Sequence, residues 1–337
     1  MPQNIITEGA GGIDTITMGA NGRFVGVGNT AMRLLQSGFN INALRPNGVL
    51  QKDEWKRLDD AVVQIARSRL VLANLLTSRG LTTNLPNALG ITRVEWETVS
   101  DMNGAQIDMS GLTESQNDRV VYGLAGIPIP IIHKDFHINI RALAASRNRG
   151  EPVDTTQVEI STRKVAEKLE SLILSGGYSV GVNGTIYGLL NAPNRNTGSV
   201  TASWVTATGA QIVADVLAMI AKAQADHFYG PYVLIVPTAA MTHMSDDYKA
   251  ESDRTILERV RAISNIAAVI EVDEMAAPNV LLVQLTRDVI DLIIGMGPTV
   301  VMWETMGGMQ MNFKVMAIQV PRMKNDQLNQ SGIVHYS

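Results

Sequence analysis

The chain has 337 residues, a formal charge of −4 and no cysteine, so disulfides, thiolate nucleophiles and zinc–thiolate centres are all excluded. The acidic balance argues against a nucleic-acid-binding surface, which needs a basic cluster. Hydrophobic residues at 45% against 18% charged mark a globular chain longer than one usual core, with no apolar run reaching the roughly eighteen residues of a membrane helix.

From Met1 to about Asn47 the sequence is rich in Gly, Asn and Thr, with glycine at positions 9, 11, 12, 19, 22, 26 and 28. Such an arm has too little apolar area to offset its own ordering entropy. Order on a neighbouring subunit is therefore expected. The opening MPQNIITEGAGG lacks the basic and apolar segments of a secretory signal, which points to assembly in a reducing cytoplasm. Gly26-Val27-Gly28-Asn29-Thr30-Ala31 matches a dinucleotide-binding fingerprint. The strand before it and the acidic residue about twenty positions after it, both required for that chemistry, are missing from the pattern.

Leu50 to Arg79 is predicted as one long helix, opened by Asp53, Glu54 and Trp55 and closed by Gly80. Ile91–Val99 alternates as a half-buried strand, with Val94, Trp96 and Thr98 on one face. After a polar tip from Asp101 to Asp118, a second apolar run spans Val120–Ile132. The two form an extended hairpin, marginal alone and expected to lie on another chain.

His133, Asp135 and His137 share one side of a strand, the parity a metal site needs, but a fourth ligand is lacking and a polar strand face is the plainer reading. His227, His243 and His335 are scattered. Neither Asp246–Asp247 nor Asp273–Glu274 lies in more than a loop-like, solvated context, and no serine occupies a nucleophile elbow. No catalytic, cofactor-binding or metal residue is therefore assigned, and an enzyme is not expected.

Pro152 to Gly177 is the spine of the chain. Val158, Thr162, Val165, Ala166, Leu169, Leu172 and Ile173 form an apolar stripe at helical spacing. Opposite lie Glu159, Arg163, Lys164, Glu167 and Lys168, with pairs four apart at Glu159–Arg163 and Arg163–Glu167. Thr156 and Glu159 are placed for a capping box, and Gly176 and Gly177 for the left-handed stop. Beyond it, a helix at Gly209–Phe228 turns Ile212, Val213, Val216, Leu217 and Ile220 inward. A buried strand at Tyr232–Val236, a helix at Thr255–Ile263 and strands at Ala268–Val272, Val280–Leu285 and Val289–Ile294 complete a small α/β layer domain. Strands at Thr299–Trp303 and Met309–Val320 return to the spine, and a polar tail runs from Pro321 to Ser337. The methionines crowded between Met302 and Met323 serve as adaptable packing.

In this order the parts resemble the shell-forming fold shared by tailed-bacteriophage major capsid proteins and encapsulins, known as the Hong Kong-type or Johnson fold. The resemblance rests on the LQKDEW helix opening, the Pro128-to-Asp154 approach, ESLILSGG at the spine end, Tyr187-Gly188-Leu189-Leu190, and GPYVLIVP from Gly230 to Pro237. It is strongest toward the encapsulin-like branch. It implies an α+β fold with an N-terminal arm at 1–48, a helical region at 49–90 and an extended hairpin (E-loop) at 91–130. A spine (P-) domain would comprise 131–178 and 296–337, and an α/β (A-) domain 179–295. The implied function is an icosahedral virion shell around double-stranded DNA, assembled in the host cytoplasm. Its partners would be further copies in hexamers and pentamers, portal and scaffolding proteins and a decoration protein, with no membrane and no sequence-specific DNA contact. The alternatives are an encapsulin nanocompartment shell and, remotely, a dinucleotide-dependent α/β enzyme. The arm of more than forty residues before the first helix favours the virion.

Overall fold

The computed structural model describes residues 4–9, 12–18, 24–25, 52–105, 107–109, 119–148, 155–180, 184–249, 254–326 and 328–337. The arm contains a three-stranded antiparallel sheet, β1 (Asn4–Gly9), β2 (Gly12–Met18) and β3 (Phe24–Val25), in that order. The sequence pattern alone marks no strands in this arm. The Ile- and Thr-rich runs of β1 and β2 have strand propensity that the glycine content masks.

The single helix expected over Leu50–Arg79 divides into α1 (Lys52–Arg69) and α2 (Val71–Ser78). Leu70 between them has φ −85° and ψ 76°, outside the helical region. A short strand β4 (Thr82–Asn84) follows, then β5 (Arg93–Val99) and β6 (Tyr122–Pro128), paired antiparallel from Arg93↔Pro128 to Val99↔Tyr122. That is the expected hairpin. After β7 (Ile132–Asn139) and α3 (Ile140–Asn148) comes the spine, α4 (Thr156–Leu174), 19 residues long. At about 1.5 Å per residue its length is close to 30 Å.

All seven residues of the predicted spine stripe are buried. The opposite face carries Arg163–Glu167 at 3.6 Å and Lys164–Glu167 at 2.7 Å. The capping box is not formed. Thr155, not Thr156, is the N-cap; its backbone is αR, and its hydroxyl donates to the Glu159 carboxylate at 2.7 Å instead of accepting a backbone N–H. Glu159, so engaged, is not the Arg163 partner that the spacing predicts.

Two sheets flank the spine. In the first, β4, β14 (Ile290–Thr305), β15 (Gln310–Met323) and β7 lie in the order β4-β14-β15-β7. The two strands predicted at Val289–Ile294 and Thr299–Trp303 are one 16-residue strand, with register shifts around Met296 absorbing Gly295, Gly297 and Pro298. Val300, Met302, Met311, Phe313 and Val315 pack on Val158 and Val165 of the spine and on Leu58 and Val62 of α1. Met302, Met311 and Met316 are core residues, as packing methionines should be, whereas Met306 and Met309 at the strand turn are exposed.

The second sheet belongs to the α/β domain. The hairpin of β8 (Gly176–Ser179) and β9 (Thr185–Tyr187) leads from the spine to it; then follow β10 (Asn196–Gly198), α5 (Gly209–Ala225), β11 (Tyr232–Pro237), α6 (Thr238–Met244), α7 (Ile256–Arg261), β12 (Ile266–Val272) and β13 (Val280–Gln284), and the chain closes with β16 (Ile333–Tyr336). The order is β10-β16-β13-β11-β12. Every residue of β11 is buried because it serves two cores. Tyr232, Leu234 and Val236 pack toward Ile212, Val216 and Met219 of α5, while Val233 and Ile235 join Leu72, Leu76, Leu169 and Ile173. Leu217, predicted inward, is exposed on α5. The polar tail is corrected too. β15 extends to Met323, and Ile333, Val334 and Tyr336 are buried in β16, so the end of 296–337 returns to the α/β sheet and not to the spine domain. Pairing with both β13 and β10 offsets the shortness of this strand.

Candidate functional site

The spine ends where two sequence anchors meet. Gly176 and Gly177 have φ of +57° and +82°, a region costly for side-chain-bearing residues. A Cβ on Gly176 would lie 2.1 Å from the Gly188 nitrogen, and one on Gly188 would lie 2.5 Å from the Gly176 nitrogen. This contact lets the Leu189 and Leu190 amides reach the last spine carbonyls, those of Ile173 at 3.0 Å and Leu174 at 2.8 Å. Helix C-terminal carbonyls, otherwise orphaned, are thereby satisfied. The SGG and YGLL motifs are one junction.

From this region the hairpin projects, and its base is clamped. Asp291, 3% exposed, accepts from the Thr83 hydroxyl at 2.8 Å and from the Arg322 Nε at 2.8 Å, pairs with a second Arg322 nitrogen, and has Lys324 Nζ at 3.3 Å. Burial alone would raise the Asp291 carboxyl; the hydrogen bonds from Arg322 and Thr83 and the two cationic charges outweigh it and hold the group below its usual range. The Arg322 guanidinium lies 5.3 Å from the centre of the Trp96 ring. One arginine therefore ties β14 and β15 to the hairpin strand β5.

Beyond the clamp nothing in the described chain covers the ribbon. Val94 and Trp96 are half-buried near the base, but Tyr122 is 70% and Leu124 66% exposed, and Ile107 and Met109 at the tip are fully exposed. A two-stranded ribbon with apolar residues open to water is marginal alone.

A family described as "Family of unknown function (DUF6260)" matches residues 42–336. The chain belongs to this family. The DUF6260 chain is also 25% identical over 282 residues to the "Type 1 encapsulin shell protein EncA" of Myxococcus xanthus (strain DK1622), covering 82% of this chain and 91% of that protein. Among solved structures, a virus-like particle from Pyrococcus furiosus aligns over 84% of this chain and 99% of its own, at TM-score 0.60 and 17% identity. The capsid of Myoviridae Phage XM1 aligns over 73% and 85% at TM-score 0.57 and 11% identity. The fold is thus the α+β phage-capsid and encapsulin-type shell fold that the order of elements implied.

The structure does not bring the sequence's candidate chemistry together. Gly26–Ala31 lies outside the described residues, but the two-residue strand β3 (Phe24–Val25) does run directly into it, which corrects the expectation that no strand precedes the fingerprint. His133, Asp135 and His137 do share a face of β7, all exposed; Asp135 is engaged by His133 at 3.5 Å and by Lys314 of the adjacent strand at 3.6 Å. Among the described residues no three histidine or acidic side chains converge as metal ligands. His243 contacts the Ala207 carbonyl at 2.8 Å, and His227 the Tyr229 hydroxyl at 3.2 Å. His335 bridges Arg195 and Asn279; burial, then the Arg195 charge, lowers its pKa. Asp246 accepts from the Asp247 amide in a loop.

Sequence reasoning missed Glu170 altogether. It is buried on the spine and holds the α1–α2 corner, while Asp273 and Glu274, taken as solvated, line the cleft that it faces. The available signal was positional. Ala166, Leu169 and Ile173 are core residues, and position 170 has the same helical phase.

Proposed function

We propose that this protein is the major capsid protein of a tailed bacteriophage, many copies closing into an icosahedral shell around double-stranded DNA. The single observation that carries the shell reading is the clamped hairpin with Tyr122, Leu124, Ile107 and Met109 in water. Its base is fixed by the Asp291–Arg322–Trp96 contacts, so the ribbon is presented rather than folded back. Obligate interfaces bury well beyond about 2,000 Å². Neighbouring copies in hexamers and pentamers supply that cover. The similarity to proteins named as capsids and shell proteins supports the same reading.

The genome is favoured as content by the more than forty residues that precede α1. The chain is acidic overall, with only Arg23, Arg33 and Arg45 as bases in the arm. DNA is then retained by closure and not by phosphate binding, whose affinity grows with each neutralised phosphate. Such a shell works with a portal for DNA entry, a scaffolding protein for its size and a decoration protein outside; it forms in the host cytoplasm and functions as the virion wall, without enzymatic activity.

One observation favours a second reading, a nanocompartment enclosing protein: the 25% identity over most of the chain to an encapsulin shell protein. Both readings share the shell and differ in content. Native particles treated with nuclease and then opened should release double-stranded DNA. A folded enzyme and no genome would establish the nanocompartment, and a small discrete oligomer would overturn both.

A further inference from the structure

The corner between α1 and α2 is held from a distance. Glu170 on the spine accepts hydrogen bonds from the backbone N–H groups of Leu72 at 2.9 Å and Ala73 at 3.1 Å, 98 and 97 residues away in sequence. These are first-turn amides of α2, which have no partner within the helix. The N-cap, Leu70, offers no side-chain cap. The buried carboxylate of another helix does the capping instead.

Glu170 also forms part of the wall of a cleft of about 320 Å³ between the spine, this corner and the α/β domain. The charged groups lining the cleft with it are Arg69 at the end of α1, Glu167 on the spine, Glu271 on β12, and Asp273 and Glu274 in the turn after β12. Lys168 acts on Glu274 from the spine. Glu167 is already engaged by Arg163 and Lys164, so Arg69 and Lys168 balance an excess of carboxylates.

We propose that Glu170 is a proton-operated latch joining the α1–α2 corner and the spine to the α/β domain: uptake of one proton from solvent draws the cleft closed, and release loosens it. Ionised, the carboxylate caps α2 with both oxygens but is buried opposite Glu274. Protonated, it retains one oxygen as acceptor for α2, turns a hydroxyl donor toward the acidic cleft, and the repulsion is gone. Burial pushes Glu170 up to about 7 against the opposing pull of the two backbone hydrogen bonds, with Glu274 adding to the rise. Glu274 is itself raised by burial, Glu167 and Asp273. When the corner opens, Glu170 meets water and titrates near its ordinary 4.5. The closed form thus binds the proton more tightly, so closure strengthens as pH falls from about 7 toward 4.5 and weakens as pH rises. The latch lies within one subunit and operates whatever the shell encloses.

Hydrogen exchange of the assembled full chain at about pH 5.5 and 7.5, corrected for intrinsic rates, tests this in the peptide spanning α2. Linkage over that interval predicts roughly twentyfold stronger protection at the lower pH. Glu170→Gln should make protection equal at both, and Glu274→Gln should move the midpoint of the wild-type response to lower pH. Wild-type protection that ignores pH, or a Glu170→Gln chain that keeps the full response, overturns the latch. If Glu170→Gln fails to fold, Glu274→Gln decides: an unmoved midpoint refutes the proposal.

Discussion

Replacing Asp291 by Asn tests whether the clamp fixes the hairpin base. The substitution keeps an acceptor for the Thr83 hydroxyl and nearly the same volume, but removes the only anion within hydrogen-bonding reach of Arg322 among the described contacts. Lys324 loses little, because its ammonium also donates to the Arg287 carbonyl at 2.6 Å. Arg322, with a side chain only 14% exposed, is left charged and without its carboxylate. Breaking a buried pair from one side costs about 3–5 kcal/mol. The retained contact with Trp96 and the second acceptor of Lys324 place the expected loss near the lower end, about 3 kcal/mol. Urea unfolding of the full chain, followed by tryptophan fluorescence, measures it. Asp291→Asn combined with Arg322→Met should be less destabilised than the sum of the two single variants, since the second change removes the stranded charge. The pH dependence has a definite sign. The Asp291 pKa is depressed on folding, so its stabilisation is full above the ordinary 3.8 and is lost as pH falls below it; the Asn variant should lack that part of acid sensitivity. A loss under about 1 kcal/mol, or strict additivity, would refute the clamp.

Gly188→Ala should cost at least about 3 kcal/mol, because the new Cβ would meet backbone atoms at 2.5 and 2.7 Å where neither side can yield. Gly104→Ala, with nothing within 4 Å, is the control and should leave the thermal midpoint unchanged. Deleting residues 1–42 should leave a folded chain by circular dichroism but abolish closed shells in electron micrographs; normal shells from the truncated chain would show that the arm is dispensable.

The spine was legible because Val158, Val165, Leu169 and Leu172 recur at a period only a helix satisfies. Likewise the unbroken apolar run of β11 announced a strand buried on both faces. The break at Leu70 was not legible, since no Gly or Pro marks it and the Glu170 carboxylate that caps the second helix lies about a hundred residues away in sequence. The same holds for Asp291 and Arg322, whose pairing depends on the β14–β15 register. Ile333–Tyr336 was taken for tail because four residues carry too little periodicity; only its neighbours in the sheet make it a strand. Local patterns thus specified the long periodic elements, while the short last strand, the helix break and the polar contacts between elements depended on tertiary register that no short window contains.

In the proposed shell the hairpin is covered by other copies of the chain. Electron cryomicroscopy of particles formed by this 337-residue chain is the decisive measurement. The maps should show closed icosahedral shells in which Tyr122, Leu124, Ile107 and Met109 of every subunit are buried against neighbours. Small discrete oligomers, or closed shells whose hairpins stand free in solvent, would contradict it.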